Sequence, residues 1–467
     1  MAQTFFFYDL ETSGLSPRDD RIMQFAGQRT DLDFNPIGDP VNLLVTLDED
    51  TLPSPGALMV TKITPLQTKL DGLTEREFCD YVTREIFTEN TVAIGYNSVH
   101  FDDEFMRFTF WRNFYDPYEW QWKDGRSRWD LLDVVRMTRA LRPEGIEWPF
   151  EERLIPKPTS ETQSDPVLVK AKVPSNRLEL LSQANGIKHE HAHDALSDVF
   201  ALIGVTKLVK EKQPKLFQYL FDLRDKKRVT TLISPEKPQP FVYTCGCIPS
   251  DFMKTSVVCP VAKGPNGSIF AVDLRYEPGP DHVYKICPNK CPAVAPLGVL
   301  EKGNGWQNIK LDLKTVKANL DKLTKDTSVV EPKIQEIESH EYEKAPDVES
   351  SLYDGFLQDG DRALAASVRN ATKAKLKGLK LDFDDKRLPE LFAHYKARNY
   401  PEILTTDELK EWESYRLARL NRQAPKFLEE LNAIKNTGKT SRGLDADPDI
   451  LQALVDWYQN LQSVDYD

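Results

Sequence analysis

At 467 residues the chain is too long for one hydrophobic core, and two or three domains are expected. No run approaches the roughly 18–20 apolar residues of a membrane span, and Met1-Ala2-Gln3-Thr4 lacks a basic leader, so a cytoplasmic protein is expected. The net charge of −12 argues against a uniformly basic nucleic-acid binder, although binding depends on local patches rather than the whole-chain sum.

In chain order, Phe5-Phe6-Phe7-Tyr8 reads as a strand that delivers Asp9 and Glu11. Side chains alternate along a strand, so these carboxylates share one face while Tyr8 and Leu10 enter the opposite layer. A second strand is expected at Thr91–Tyr96, handing over at Asn97 to a helix that starts near Phe101 and carries Asp102. Asp103 and Glu104 read as a solvated helix start. Trp111, Phe114, Tyr115, Tyr118, Trp120, Trp122 and Trp129 crowd one stretch, most as packing and one or two as stacking surfaces for bases. A helix over Trp129–Val135 holds Asp130 and Asp133 in structural roles. Pro149 to Ser175 is a polar, proline-bearing insert, expected to be a long loop with a short hairpin at Val167-Leu168-Val169. Asp194 is suited to cap a helix with Leu196, Val199, Phe200 and Ile203 on its apolar face and Asp198 on its first turns.

A first domain should close near 205–212, before Pro214. From about 228 to 340, short β-like runs alternate with Gly and Pro turns, which suggests a small barrel or sandwich. Asn308–Thr327 reads as a charged helix, and the remainder as helical, including Thr406–Leu420 and Pro448–Val464. The resulting boundaries are 1–208, 209–345 and 346–467. Lys207 to Arg228 holds eight basic residues against three acids, and Lys373, Lys375, Lys377 and Lys380 form a second basic patch; both are candidate phosphate contacts. Five of the six cysteines lie between Cys245 and Cys291 without paired C-x-x-C spacing, so free thiols are expected there rather than a zinc knuckle.

The chemistry lies in the carboxylates. Two adjacent carboxylates repel unless a cation lies between them, and oxygen-only ligands suit Mg²⁺ or Mn²⁺ rather than zinc. Asp9, Glu11, Asp102 and Asp198, followed through the chain with His193, form a parts list for two-metal phosphodiester hydrolysis. Two ions about 3.5–4 Å apart would activate water and stabilise the leaving oxygen, and His193 is the candidate general base. A lone D-x-E is weak evidence; the combination is specific. His189, His191 and His193 alternate, but no cysteine is near them and the spacing is unusual for zinc.

This set resembles the DEDDh exonuclease superfamily, and within it the bacterial exonuclease I (exodeoxyribonuclease I) family. Further similar stretches include Asp9-Leu10-Glu11-Thr12, Arg112-Asn113-Phe114-Tyr115-Asp116-Pro117-Tyr118, Ala140-Leu141-Arg142-Pro143-Glu144-Gly145, Arg177-Leu178-Glu179, Leu352-Tyr353-Asp354-Gly355-Phe356 and Tyr395-Lys396-Ala397-Arg398-Asn399-Tyr400-Pro401. The resemblance implies an α/β ribonuclease H-like nuclease domain, a small Src-homology-3-like β-barrel and an all-α C-terminal domain that closes a C-shaped monomer around the strand. It implies processive 3′→5′ hydrolysis of single-stranded DNA to 5′-mononucleotides in repair and recombination. Two Mg²⁺ ions, replaceable by Mn²⁺, would be held by Asp9, Glu11, Asp102 and Asp198, with His193 as the base. Thr12, Arg177 and Lys227 would contact DNA. Arg142 and Tyr219 would receive the acidic C-terminal tail of single-stranded-DNA-binding protein. The 149–175 insert is longer than the resemblance leads one to expect. An exoribonuclease or proofreading-type exonuclease is the alternative, disfavoured by similar stretches beyond residue 280. A non-catalytic adaptor is disfavoured because all five catalytic positions are filled.

Overall fold

The structure is a computed structural model that describes residues 2–156, 168–189, 194–339 and 344–462. The first unit is built on a mixed five-stranded sheet formed by β1 (Thr4–Thr12), β2 (Ile22–Thr30), β3 (Val41–Leu44), β4 (Thr91–Gly95) and β5 (Ser127–Asp130). Their order is β3-β2-β1-β4-β5. β1 runs antiparallel to β2 and parallel to β4, and β4 runs parallel to β5. The short helices α1 (Pro55–Thr61), α2 (Pro65–Asp71) and α3 (Glu75–Tyr81) precede β4, and α4 (Asp102–Arg112) follows it. Then come α5 (Leu131–Leu141), a hairpin of β6 (Phe150–Pro156) and β7 (Leu168–Pro174), and α6 (Leu178–Ala184), α7 (Ala195–Lys212), α8 (Pro214–Asp222) and α9 (Lys226–Leu232).

The alternation in β1 separates two cores. Phe5 and Phe7 pack with Val92, Ile94, Trp129 and the buried face of α7, whereas Phe6, Tyr8 and Leu10 pack with Phe25, Phe78, Phe105 and Met106. The buried face of α7 runs through Ala195, Val199, Leu202 and Val205. Phe200, expected on that face, is exposed; one residue is about 100° of helix, enough to turn it outward. Trp129 and Asp130 belong to β5 rather than to a helix, and Asp130 caps α5 by accepting from Leu132.

The second unit is an antiparallel sheet of β8 (Phe241–Thr244), β9 (Thr255–Lys263), β10 (Ile269–Asp273), β11 (Val283–Ile286) and β12 (Ala293–Pro296), ordered β11-β10-β9-β8-β12. The outer strands β11 and β12 are not paired with each other among the described residues, so the unit forms an antiparallel sheet where a small barrel or sandwich was expected. α10 (Gly305–Asn308), α11 (Leu313–Lys325) and α12 (Glu331–Ser339) follow it. Its buried residues Val242, Val257 and Ala293 are continuous with the Phe5–Trp129 core.

The third unit is helical: α13 (Asp359–Arg369), α14 (Lys373–Leu376), α15 (Leu388–Asn399), α16 (Thr406–Thr437) and α17 (Pro448–Gln462). α16 runs past the expected end at Leu420 and through Pro425. Proline removes one helical donor, but Phe427, Leu431 and Ile434 bury against Met23, Leu58 and Trp457 beyond it. A second seam joins Phe108, Trp111 and Phe114 to Leu391 and Tyr395. Between these seams lies a dry ionic network. Glu349 and Asp50, both fully buried, face Arg21, Arg398 and Arg419, and His394 Nδ1 lies 3.0 Å from Glu349. No described helix is long and apolar enough to cross a membrane.

Candidate active site

Asp9 pairs across from Ala26, and Glu11 from Gln24, in the β1–β2 register. One carboxylate oxygen each from Asp9, Glu11 and Asp198 can be chosen so that all lie within 4.8 Å of one another, a group that could hold a metal ion. Asp198 arrives from the first turn of α7, which Asp194 caps by accepting from the Ser197 N–H.

The fourth carboxylate is placed by the end of strand pairing. β4 pairs with β1 only as far as Phe7↔Ile94. Beyond that point Asp102, at the start of α4, comes near enough to the two acids of β1 for its charge to raise both Asp9 and Glu11. Gly95 permits the close turn that follows, because a Cβ there would stand 2.4 Å from that of Ser98. Asn97 takes a left-handed conformation, φ 67°. The Asp130 carboxylate then fixes the turn by accepting from the N–H groups of Asn97 (2.9 Å) and Val99 (3.1 Å). Asp130 is structural, as expected, and its task is to aim Asp102.

Asp103, expected in solvent, is buried at 1% exposure. It accepts from the Tyr8 hydroxyl at 2.5 Å and from the Arg128 guanidinium. Burial, with the nearby Asp103 and Asp102 charges, pushes the Tyr8 phenol well above its ordinary range and keeps it a donor. Arg128 also donates to the Asn289 carbonyl at 3.2 Å, and the Cys291 thiol to the Arg128 carbonyl, so the second unit braces the back of the site.

Burial is the main reason that Glu11 and Asp102 are pushed up to about 8, with Asp198 and Asp102 adding to the effect on Glu11, and Asp103 to that on Asp102. Asp9 is raised well above the carboxylate range for the same leading reason, then by Asp102, Glu11 and Asp198. Acids crowded in this way hold protons until a cation replaces them. The donor set is all oxygen, which fits a hard divalent ion.

Residues 6–206 match the family described as Exonuclease, and residues 346–461 that described as Exonuclease I C-terminal domain. The chain is 38% identical to exodeoxyribonuclease I of Haemophilus influenzae, over 92% of this chain and 93% of that protein. The chain belongs to the exodeoxyribonuclease I family. A crystal structure of Escherichia coli exonuclease I with a dA16 oligonucleotide superposes with a TM-score of 0.86 at 34% identity, covering 98% of this chain and 100% of that one. The zinc-bound form of an E. coli exonuclease I–single-stranded DNA complex matches with a TM-score of 0.88 at 34% identity, over 99% of this chain and 100% of that one.

Against this exodeoxyribonuclease I frame, Asp9, Glu11 and Asp198 meet, and Asp102 stands outside that group, near enough for its charge to raise Asp9 and Glu11. His193 lies outside the described residues. His189, one of the alternating His189, His191 and His193, places Nε2 2.5 Å from Asp198 and Nδ1 3.1 Å from the Ser182 hydroxyl; its spacing from Asp198 in the sequence gives no sign of this contact. Arg177 lines a cavity of about 610 Å³ that includes Asp9, Asn97 and Asp198. Thr12 is buried and donates to the Gly14 carbonyl, and Lys227 is exposed on α9, outside the residues lining that cavity. Arg142 donates to the carbonyls of Val299 and Lys302, each at 3.0 Å. The Tyr219 hydroxyl is buried and has no hydrogen-bond partner among the described residues. Among the clustered aromatics, Trp111, Phe114, Trp120 and Trp129 are buried, whereas Trp122 is exposed.

Proposed function

We propose that this protein is a processive 3′→5′ exonuclease that degrades single-stranded DNA to 5′-mononucleotides in repair and recombination. The observation that carries the reading is the convergence of Asp9, Glu11 and Asp198, with Asp102 near enough for its charge to raise Asp9 and Glu11, in a chain alignable over 92% of its length with exodeoxyribonuclease I.

Asp9, Glu11, Asp102 and Asp198 would hold two Mg²⁺ ions, with Mn²⁺ able to substitute. When bound, such ions supply an activated water and charge stabilisation at the leaving oxygen. The chain's own part is positional. Asp130 fixes the turn that leads into Asp102, the Asp194 cap aims the first turn of α7, and the Ser182–His189 pair restrains Asp198. His193 takes the proton of the attacking water, and Arg177 receives a backbone phosphate, with Thr12 and Lys227 as further DNA contacts.

We read 1–208, 209–345 and 346–467 as the functional units, supported by the family matches ending at 206 and beginning at 346. The antiparallel sheet is a partly open member of the Src-homology-3-like type, and the helical unit closes a monomeric clamp around the strand. Arg142, at the seam between the first two units, and Tyr219 form the docking point for the acidic tail of single-stranded-DNA-binding protein.

Two substitutions test the reading. Asp198→Ala should abolish turnover while single-strand affinity, measured by anisotropy in EDTA, stays within about threefold, because backbone phosphates dominate that affinity. Loss of binding together with activity would assign this region to holding DNA or the fold. His193→Ala should slow turnover by roughly 10²–10⁴; an unchanged pH–rate profile would reject its role as the base.

A further inference from the structure

The insert between α5 and α6 is a built part of the cleft. β6 and β7 pair from Phe150↔Pro174 to Pro156↔Leu168, so residues facing each other across the ladder share a side. On one side stand Glu151 and Arg153 opposite Val173 and Ala171, and Val173 is buried. The base is clipped shut: Arg139 donates to the carbonyls of Ser175 (2.5 Å) and Pro149 (2.9 Å) at the two ends of the hairpin. The guanidinium also lies over the rings of Trp148 and Phe150. β7 packs against the turn Ser250–Phe252 of the second unit. The hairpin therefore spans from the nuclease unit to the antiparallel sheet beside the metal cluster.

Its inner side is part of the wall of the 610 Å³ cavity. Arg153 and Glu151 from the hairpin, Arg136 from α5, Arg177, and Lys254 from the second unit all line the space that holds Asp9 and Asp198. Each guanidinium has a carboxylate beside it: Arg136 pairs with Asp133 at 2.7 Å, Arg177 with Glu179 at 2.8 Å and Arg153 with Glu151 at 2.7 Å. Glu151 sits between two of them, 2.7 Å from Arg153 and 4.0 Å from Arg177. It thus holds two guanidinium groups side by side while neutralising one charge. Arg153 spends one nitrogen on Glu151 and is more than half exposed, so it keeps guanidinium donors for a phosphate in the cavity that holds Asp9 and Asp198.

We infer that the β6–β7 hairpin is a substrate-contacting wall of the cleft, in which Arg153 receives a phosphate of the bound strand or of the departing mononucleotide. This rests on the exonuclease reading above. The hairpin adds a phosphate contact to those expected from the family resemblance, and Lys254 carries the same track onto the second unit.

The test is Arg153→Ala beside Arg153→Lys in the full chain; Arg153 is more than half exposed, so folding is undisturbed. With oligothymidylate as substrate, Arg153→Ala should raise KM about three- to tenfold with kcat retained, as expected for one lost charge-assisted bond. The slope of log affinity against log salt should become shallower by about 0.7, the value for one phosphate contact on a single strand. Arg153→Lys should keep the slope. Inhibition by thymidine 5′-monophosphate separates the two sources. If it weakens along with KM, the contact is to the product phosphate; if only KM changes, it is to the strand. Unchanged KM, salt slope and product inhibition in Arg153→Ala, with the parent active, would overturn the hairpin's role alone. A parent that neither binds nor cleaves single strands would overturn the exonuclease reading and this inference with it.

Discussion

Replacing Asp103 by alanine removes a carboxylate that touches no substrate, yet the loss should be large. Asp103 is 1% exposed and its partner Arg128 only 7%, so the substitution strands a guanidinium charge in a dry interior and leaves the Tyr8 hydroxyl without its acceptor. Breaking a buried pair from one side costs about 3–5 kcal/mol. For a unit of nuclease-domain size, each kcal/mol lowers the melting temperature by about 2–4 °C, so a drop of about 6–20 °C is expected. Tyr8 adjoins Asp9 and Asp103 adjoins Asp102, so the Mg²⁺ concentration giving half-maximal cleavage should also rise. Thermal melts followed by near-ultraviolet circular dichroism, with a Mg²⁺ titration of cleavage, measure both effects. The double variant Asp103→Leu/Arg128→Met should melt above either single variant, because it removes both charges. A single variant melting within about 2 °C of the parent would refute the reasoning.

Glu349→Gln should loosen the helical unit from the nuclease unit and expose the seam to limited proteolysis, since it uncouples Arg21, Arg398 and His394; unchanged cleavage kinetics would contradict this. Burial opposes the Glu349 charge, but Arg398, His394 and Arg21 outweigh it and hold the carboxyl well below its ordinary range. Its contribution is therefore present above about pH 4–5 and lost on acidification, and Glu349→Gln should show a weaker acid dependence of melting. The metal-free site has the opposite sign. Glu11 and Asp102 are raised to about 8, so their contribution is full below about pH 4 and is lost as pH rises through about 8. Mg²⁺ should thus raise the melting temperature more at pH 8.5 than at pH 6.5 and release protons on binding; a pH-independent increment would count against cation capture by these acids.

Much of the site was legible because its carriers are periodic. The apolar run of β1 fixes which side Asp9 and Glu11 occupy, and the Asp194 cap with the apolar positions of α7 places Asp198. What was not legible depends on long-range partners. Asp103 looked like a solvated helix start because Tyr8 and Arg128 lie 95 and 25 residues away, and helical spacing carries no trace of either. The insert read as a long loop with only a short hairpin at Val167-Leu168-Val169, because its strands are rich in charge, whereas β6 and β7 pair over seven residues each; Arg139 and the Ser250–Phe252 turn supply the order that its own composition does not. α16 read as ending at Leu420, since local propensity penalises Pro425, whereas packing of Phe427 and Leu431 outweighs that penalty.

The most direct test is a time course on 5′-labelled single-stranded DNA with Mg²⁺, with unlabelled trap DNA added after the start, run beside duplex DNA, RNA and an EDTA control. The expected result is metal-dependent shortening from the 3′ end of the DNA single strand, with few intermediates in the presence of trap. Preference for RNA would move the protein to the exoribonuclease branch, and tight binding without cleavage would contradict the hydrolytic role assigned to Asp9, Glu11, Asp102 and Asp198.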